Sequence, residues 1–218
     1  MAHIFISGAT GFVGRNLAAE LVRRGHLVRA LARAGSAGRV DAGCEVVMGD
    51  PLDAANLRGL IGGADTFVQL VGVSHPSPAK AALFRTVDLA SAKAGVDAAT
   101  QADVRHFAYV SVAHPAPVMR EYIAARTEAE DYIRAAGLNA TILRPWYVLG
   151  PGRRWPLMLL PFYWVAGILP GTRDSARRLG LVTLPQMIAA MAFAVEQPPT
   201  GIRVMEVPQI SKKGKQSL

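Results

Sequence analysis

The stretch Gly8-Ala9-Thr10-Gly11-Phe12-Val13-Gly14 decides the fold of this 218-residue chain. It follows the apolar run HIFIS of residues 3–7, a predicted strand, and its last three residues begin a predicted helix over residues 12–24, whose apolar side chains recur at helical spacing. The first glycine permits a tight turn, the second lets the backbone approach a pyrophosphate, and the third allows close packing of helix on strand. The stretch therefore predicts a strand–turn–helix unit whose helix amino terminus can hold phosphate groups. The alternative is a tight turn that binds nothing.

Outward from this unit, short apolar runs alternate with longer amphipathic ones, which predicts an α/β fold with a Rossmann-like, doubly wound parallel sheet. The further predicted strands are Leu27–Leu31, Glu45–Met48, Thr66–Val71, His106–Val110, Ala140–Leu143 and Arg203–Val207. The further predicted helices are Ala54–Ile61 with Asp53 as N-cap, Ala79–Gln101, Met119–Ala136 and Pro185–Glu196. We expect one domain with a dinucleotide-binding core over residues 1–150, a small substrate-side subdomain over 151–210 and a basic tail over 211–218.

Composition excludes several classes of protein. Hydrophobic residues make up 51% of the chain and charged residues 18%, which excludes intrinsic disorder. The single cysteine, Cys44, excludes a disulfide scaffold, and the five histidines show no metal-ligand spacing, so no metal site is predicted. The net charge of +8 suggests an anionic partner, but no basic helix with interleaved aromatic residues is present. We therefore expect no nucleic-acid partner, and a phosphate-bearing cofactor explains the basic excess equally well.

The segment Trp155–Thr172 carries no charge and approaches the length of a membrane span, but three prolines interrupt it. We interpret it as a buried or pocket-lining segment, with interfacial membrane contact as the alternative. Its aromatic residues, together with Trp146 and Tyr147, favour an apolar or aromatic substrate over a bare sugar nucleotide; the alternative is that they are ordinary core residues. Because the first residues lack a signal peptide, a cytoplasmic location is expected. The chain is expected to be a monomer or a homodimer.

The spacing G-x-x-G-x-x-G in GATGFVGR resembles the short-chain dehydrogenase/reductase superfamily, in particular its atypical and extended branches. These branches include NAD(P)-dependent epimerases and dehydratases, NmrA-like regulators and an accessory subunit of respiratory complex I. Val47–Asp50, Leu70–Gly72 and the segment ILRPWYVLGPG of residues 142–152 are similar to the superfamily's motifs after the third, fourth and sixth strands. The resemblance implies a nicotinamide dinucleotide with its adenine near Asp50 and its nicotinamide beside the last segment.

The cofactor contacts that the resemblance implies are Gly8, Thr10, Gly11, Phe12, Val13, Gly14, Arg15, Arg33, Asp50, Pro51, Leu70, Val71, Gly72, Arg126, Pro145 and Val148. The second strand, LVRALAR, has no acidic residue until Asp41, and Arg33 lies at its end. A basic residue there accommodates the 2′-phosphate of NADP, whereas an acidic residue would hold the ribose of NAD. We therefore expect NADP(H) in preference to NAD(H). The alternative is that Arg15 and Arg33 are solvated surface residues.

Three residues are the predicted catalytic set. Tyr122 and Arg126 stand where the superfamily has Y-x-x-x-K, which implies that Tyr122 is the acid/base group and that Arg126 contacts the cofactor ribose. Ser111 stands at the superfamily's serine. Alternatively, Tyr122 is a partly buried residue with Arg126 paired to Glu130, and Ser111 only shapes a strand end. The resulting hypothesis is an oxidoreductase or epimerase acting on a carbonyl or alcohol; the rival hypothesis is a cofactor-binding sensor or scaffold without turnover.

Overall fold

Seven parallel strands form the central sheet of the computed structural model, which describes residues 1–116, 118–152 and 178–215. The strands are β1 (His3–Ser7), β2 (Leu27–Ala32), β3 (Glu45–Met48), β4 (Thr66–Gln69), β5 (His106–Val110), β6 (Ala140–Arg144) and β9 (Ile202–Glu206), and their order is β3-β2-β1-β4-β5-β6-β9. A separate pair joins β7 (Tyr147–Leu149) to β8 (Leu181–Thr183), also in parallel. The strand order runs outward in both directions from β1, so a ligand crevice is expected beyond the carboxyl ends of β1 and β4.

Helices cover both faces of the sheet, as a doubly wound fold requires. On one face, α1 (Phe12–Arg23) packs against α6 (Leu184–Glu196), which contacts α7 (Val207–Lys215). On the other face, α2 (Ala54–Ile61) packs against α4 (Ala90–Gln101), which contacts α5 (Arg120–Ala135). Each face buries its own apolar cluster. The predicted α/β class and the parallel, Rossmann-like sheet are thus confirmed.

An aromatic row fixes the register of the central strands. Phe5 of β1, Phe67 of β4 and Phe107 of β5 are in-register partners across the three strands. Their ring centroids are 5.0 Å apart for the first pair and 5.2 Å apart for the second, and all three side chains are fully buried. Because a shift of one residue would turn these rings to the opposite face, the row specifies a single register.

The helical stretch before α4 is not uniform. A 3₁₀ turn (Pro78–Lys80) is followed by α3 (Ala81–Leu83), a π-helical segment (Phe84–Leu89) and then α4. The sequence predicted one continuous helical region over 79–101. Short π segments inside helices are frequent at functional sites, and this one carries Asp88 to the carboxyl end of β4.

The carboxyl-terminal part of the chain differs from its prediction. The last strand ends at Glu206, and Val207 begins α7 where a strand end and then a basic tail from residue 211 were expected. Ile210 is fully buried, which gives α7 an apolar anchor on the domain. The segment Trp155–Thr172 lies outside the described residues, and the division at residue 150 stays a prediction. In the part of the chain that the structure describes, no helix has the length and apolar character needed to cross a bilayer.

Candidate functional site

The glycine turn joins β1 to α1 at the carboxyl edge of the sheet, and its glycines are required by space. Gly8 has φ +88°, and a Cβ there would lie 2.8 Å from the backbone of Leu70 and Val71 at the end of β4. A Cβ on Gly14 would overlap the carbonyl oxygen of Gly8. Gly11 is the N-cap of α1 and has no side chain to cap it. The turn therefore leaves a helix amino terminus beside β4, the geometry suited to a pyrophosphate.

A buried ion pair lies directly beyond the turn. Nη2 of Arg126, on α5, is 2.6 Å from Oδ1 of Asp88, and Oδ2 of Asp88 accepts a 2.9 Å hydrogen bond from the backbone N–H of Val73. The pair packs on the backbone of Gly72, because a Cβ at that glycine would overlap Nη2 of Arg126. The Arg126 side chain is 7% exposed and that of Asp88 is 0% exposed. Hence the cation that was predicted at the cofactor ribose has a carboxylate partner within the protein.

Two tyrosines and a backbone carbonyl complete the surroundings of Arg126. Its Nη1 donates to the carbonyl oxygen of Val110 at 2.8 Å and to the hydroxyl of Tyr109 at 3.3 Å. Burial opposes the charge of Arg126, but Tyr109, Tyr122 and Asp88 together raise its pKa above the ordinary arginine value. Burial raises the pKa of Tyr109 to about 12. Arg126 therefore stays charged and Tyr109 stays a neutral donor or acceptor.

Tyr122 lies one helical turn before Arg126 and on the same face of α5. Its ring is 5.2 Å from the guanidinium carbon of Arg126 and 5.0 Å, edge to face, from the ring of Phe84. The residue is half-buried, and no described residue forms a hydrogen bond with its hydroxyl. The structure thus brings Tyr122 and Arg126 together as the i, i+4 spacing predicted. The alternative pairing of Arg126 with Glu130 is wrong, because Asp88 takes that place.

Glu130 instead forms the centre of a second buried cluster. Its carboxylate accepts from Ser111 Oγ at 2.6 Å, from Nε of Arg144 at 2.9 Å and from Arg134 at 3.0 Å, with a further short contact to Nη2 of Arg144. Burial raises the pKa of Glu130, but the hydrogen bonds from Arg144 and Ser111 outweigh it and the net pKa is lowered. Ser111 thus directs its proton to Glu130, and a contact between Ser111 and a substrate stays a prediction.

The two loop histidines that follow β4 and β5 lie in different settings. Nε2 of His114 is buried and lies 3.6 Å from Oε1 of Glu130. His75 is exposed with φ +52°, and its carbonyl oxygen accepts a hydrogen bond from Lys80. Among the described residues, no three His, Cys, Asp or Glu side chains come together in a way that could hold a metal ion.

The remaining predicted cofactor contacts line the same edge. Arg33 follows β2 and Arg15 lies in the first turn of α1, and both are exposed. Asp50 follows β3, where its carboxylate accepts from the N–H of Leu52 at 2.9 Å. Val148 of β7 packs against the same apolar cluster as Phe12 and Val13, and the ring of Phe12 occupies the space that a Cβ on Gly150 would fill. Thr10, Pro51 and Pro145 flank these positions in the chain, and their contacts with a cofactor stay a prediction.

The roles of two residues of the site, Asp88 and Glu130, were not predicted from the sequence. Asp88 belongs to an alanine-rich helical stretch and its partner lies 38 residues away. Glu130 was considered only as an i, i+4 partner of Arg126, whereas its main partner, Arg144, is on a neighbouring strand. A charged residue on the buried face of a predicted helix was the available signal, because such residues are almost never buried without a partner.

A Rossmann-like sheet, a glycine turn at its switch point and a tyrosine–arginine pair at the adjoining strand end together define an NAD(P)-binding protein of the short-chain dehydrogenase/reductase type. The turn fits a dinucleotide, because Gly11, the N-cap of α1, places no side chain at the helix amino terminus where a pyrophosphate would lie. A family model described as NAD(P)H-binding matches residues 8–153, and the chain belongs to this family.

Relatives extend the match beyond the glycine turn. The chain is 29% identical to a ceramide reductase of Caulobacter vibrioides over 213 residues, which is 97% of this chain and 66% of the relative. It is 28% identical to the protein TIC 62 of Pisum sativum over 170 residues, or 65% of this chain and 32% of the relative. A 3β-hydroxysteroid dehydrogenase/isomerase of Mycobacterium tuberculosis is 29% identical over 117 residues, or 51% of this chain and 32% of the relative. The chain thus spans less than two thirds of each of these relatives.

Solved structures support the fold. The enzyme WbmH of Bordetella bronchiseptica, in complex with NAD⁺, superposes with a TM-score of 0.71 at 22% identity and covers 94% of this chain and 76% of its own. The UDP-N-acetylglucosamine 4-epimerase of Bacillus cereus gives a TM-score of 0.70 at 18% identity, covering 94% of this chain and 79% of its own. At these identities the likeness concerns the architecture alone.

Proposed function

We propose that the chain is an NADPH-dependent oxidoreductase that interconverts a carbonyl and a secondary alcohol on an apolar, lipid-like substrate. The observation that carries the proposal is the continuous path of contacts from the glycine turn to Tyr122. Gly8 abuts Leu70 and Val71, Gly72 carries the Arg126–Asp88 pair, and Arg126 faces the Tyr122 ring. A dinucleotide with its pyrophosphate at the turn would run along this path toward the tyrosine.

Tyr122 is the proposed proton donor. The reduced nicotinamide, when bound, supplies a hydride to the carbonyl carbon of the substrate. The Tyr122 hydroxyl gives its proton to the carbonyl oxygen, which yields the alcohol, and regains a proton from solvent. The absence of a hydrogen-bond partner for this hydroxyl among the described residues supports its availability to substrate. The fixed charge of Arg126 stabilises the phenolate that remains, and arginine does not itself relay a proton.

The substrate class is proposed from the relatives and from composition. Two of the relatives are named for lipid chemistry, a ceramide reductase and a hydroxysteroid dehydrogenase. The sequence between residues 155 and 172, WPLMLLPFYWVAGILPGT, has no charged side chain. A sugar nucleotide would require polar and charged partners, so an acyl chain or a fused-ring skeleton is the better chemical match.

The experiment compares three substrate classes under one assay. NADPH oxidation is followed with a ketone-bearing sphingolipid, a 3-ketosteroid and a UDP-4-keto-sugar, each in the same detergent. We expect turnover with one of the lipids, and its loss in Tyr122→Phe. Tyr132→Phe is the matched control, because that hydroxyl lies on the same helix and bonds Asp97 at 2.7 Å, outside the crevice. Activity retained by Tyr122→Phe would remove Tyr122 from its role.

A second candidate function is cofactor binding without turnover, as in a redox sensor or scaffold. Two observations favour it: the Ser111 proton is directed to Glu130, and the Arg126 charge is paired with Asp88. NADPH binding without oxidation of the cofactor by any of the three substrate classes would support this candidate over the enzyme.

A further inference from the structure

Asp88 has the placement of a residue that acts on the cofactor site through another side chain. It lies in the π-helical segment, is 1% exposed, and uses both carboxylate oxygens: one for the backbone N–H of Val73 and one for Arg126. The first contact ties it to the loop after β4, and the second ties it to α5. Asp88 thus connects two elements that border the crevice.

The guanidinium of Arg126 has few orientations open to it. Arginine carries five N–H donors, and Arg126 donates three of them within the protein: to Asp88, Val110 and Tyr109. Its Nε is buried and has no partner among the described residues. The bond to Asp88 is the shortest of the three and the only one of them to a charged acceptor, and hydrogen bonds to charged groups are the strongest. Asp88 therefore has the largest influence on where this cation points.

We propose that Asp88 is a positioning residue of the dinucleotide site: it holds the Arg126 guanidinium against Gly72 and beside Tyr122. The inference rests on the proposed function, since it concerns the site where the cofactor would bind. An ordinary buried salt bridge would contribute only to folding. A positioning residue changes ligand affinity in protein that remains folded, and only while Arg126 is present.

A double-mutant cycle separates these two roles. We would measure the Kd for NADPH by titration calorimetry for the wild type, Asp88→Asn, Arg126→Met and the double variant. We expect each single variant to weaken binding about tenfold, and the double variant to weaken it about tenfold rather than about a hundredfold, because the two residues act as one unit. Asp97→Asn is the matched control, since Asp97 of α4 is likewise bonded to a residue of α5, Tyr132, but away from the crevice. The Kd of this variant should be unchanged.

Thermal unfolding of the same proteins confirms that each titration is made on folded protein. A wild-type Kd for Asp88→Asn, or a hundredfold loss in the double variant, would overturn the inference and leave the proposed function standing. Failure of the wild type to bind either NADPH or NADH would overturn both. If Asp88→Asn does not fold, the double variant is compared with Arg126→Met, because the double variant removes both buried charges. Equal Kd values for NADPH are expected. A further loss of about tenfold in the double variant would contradict the inference.

Discussion

The hydroxyl of Ser111 lies 2.6 Å from Oε1 of Glu130, with the serine as donor and the carboxylate as acceptor. The Glu130 side chain has no exposed surface, and Arg144 links the same carboxylate to Glu206 on the last strand, with Nη1 of Arg144 2.9 Å from Glu206. Ser111 is therefore part of a buried charged network that joins β5, α5, β6 and β9 at their common edge.

The first prediction concerns this serine. Ser111→Ala should lower the free energy of unfolding by about 1.5–3 kcal/mol, because a hydrogen bond to a buried carboxylate is lost. Ser91→Ala is the matched control: Ser91 is equally buried but bonds only the uncharged Gln69 side chain and the Asp88 carbonyl, so its loss should be nearer about 1 kcal/mol. Urea unfolding measures both. Equal stability of Ser111→Ala and wild type would contradict the network interpretation.

The second prediction concerns the glycine turn. Gly14→Ala should abolish measurable NADPH binding and destabilise the fold by about 1–3 kcal/mol, because the new methyl group would overlap the Gly8 carbonyl and displace α1. Gly59→Ala, in the exposed part of α2 with nothing within 4 Å of the added carbon, should instead be stabilising by about 0.5–1 kcal/mol. Calorimetric titration and thermal melts report the two effects, and unaltered NADPH affinity in Gly14→Ala would reject the turn as the phosphate site.

The third prediction tests cofactor preference. Arg33 is exposed at the end of β2, where the 2′-phosphate of NADPH would meet it. Arg33→Asp should weaken NADPH binding by about 1.5–3 kcal/mol, or at least about tenfold, and should not weaken NADH binding, because an acidic residue there can hold the ribose of NAD. Arg58→Asp makes the same change of charge at another exposed position, on α2, and should affect neither Kd. If wild-type protein binds NADH more tightly than NADPH, the proposed preference is wrong.

The fourth prediction concerns pH. His106 is buried between Thr66 and Thr141, which lie 3.3 Å and 3.0 Å from its two ring nitrogens, and burial lowers its pKa from 6.5 to about 4. The unfolded chain therefore binds a proton more readily than the native protein. Stability is fully present above pH 6.5 and falls as the pH drops to about 4, by on the order of 3 kcal/mol.

Thermal midpoints measured at intervals from about pH 7.5 to about pH 4, the range that contains the ordinary histidine pKa, would check this dependence. His106→Gln keeps hydrogen-bonding capacity but does not titrate, so its midpoint should change less over the same range. His75→Gln is the control, because His75 is exposed and its removal should leave the pH dependence of the wild type intact. A wild-type slope in His106→Gln would assign the dependence to other groups.

Local signals in the sequence predicted the order of elements well. The glycine turn needs only a strand, three glycines and a helix, all within 21 residues of one another. Asp53 was expected to cap the helix that begins at Ala54, and its side chain does accept a hydrogen bond from the N–H of Asn56. Both features depend on neighbours in the chain, so spacing alone is sufficient to identify them.

The charge pairs could not be predicted, because their partners are brought together by the sheet. Arg126 has an acid four residues later, which is the spacing of a helical ion pair, yet it bonds Asp88 on another helical segment. Glu130 is turned toward the carboxyl ends of β5 and β6 and is taken by Arg144. The register of parallel strands decides these contacts, and no periodicity in the sequence encodes the register between distant strands. The helix α7 was missed for a similar reason, since Ile210 packs on a surface made by distant residues.

Because of the π-helical segment Phe84–Leu89, the geometry of the site depends on the number of residues between Leu83 and Asp88. Each residue of a helix advances the next by about 100° around the axis, and a π segment accommodates an extra residue by widening one turn. Deleting one residue between Leu83 and Asp88 would let an ordinary α-helix form. It would also rotate the residues before the deletion by about 100° around the helix axis relative to α4. Phe84 would then no longer meet Tyr122 at the same time as Asp88 meets Arg126. A change in spacing alone, with every polar side chain retained, would therefore break either the Phe84–Tyr122 contact or the Asp88–Arg126 ion pair.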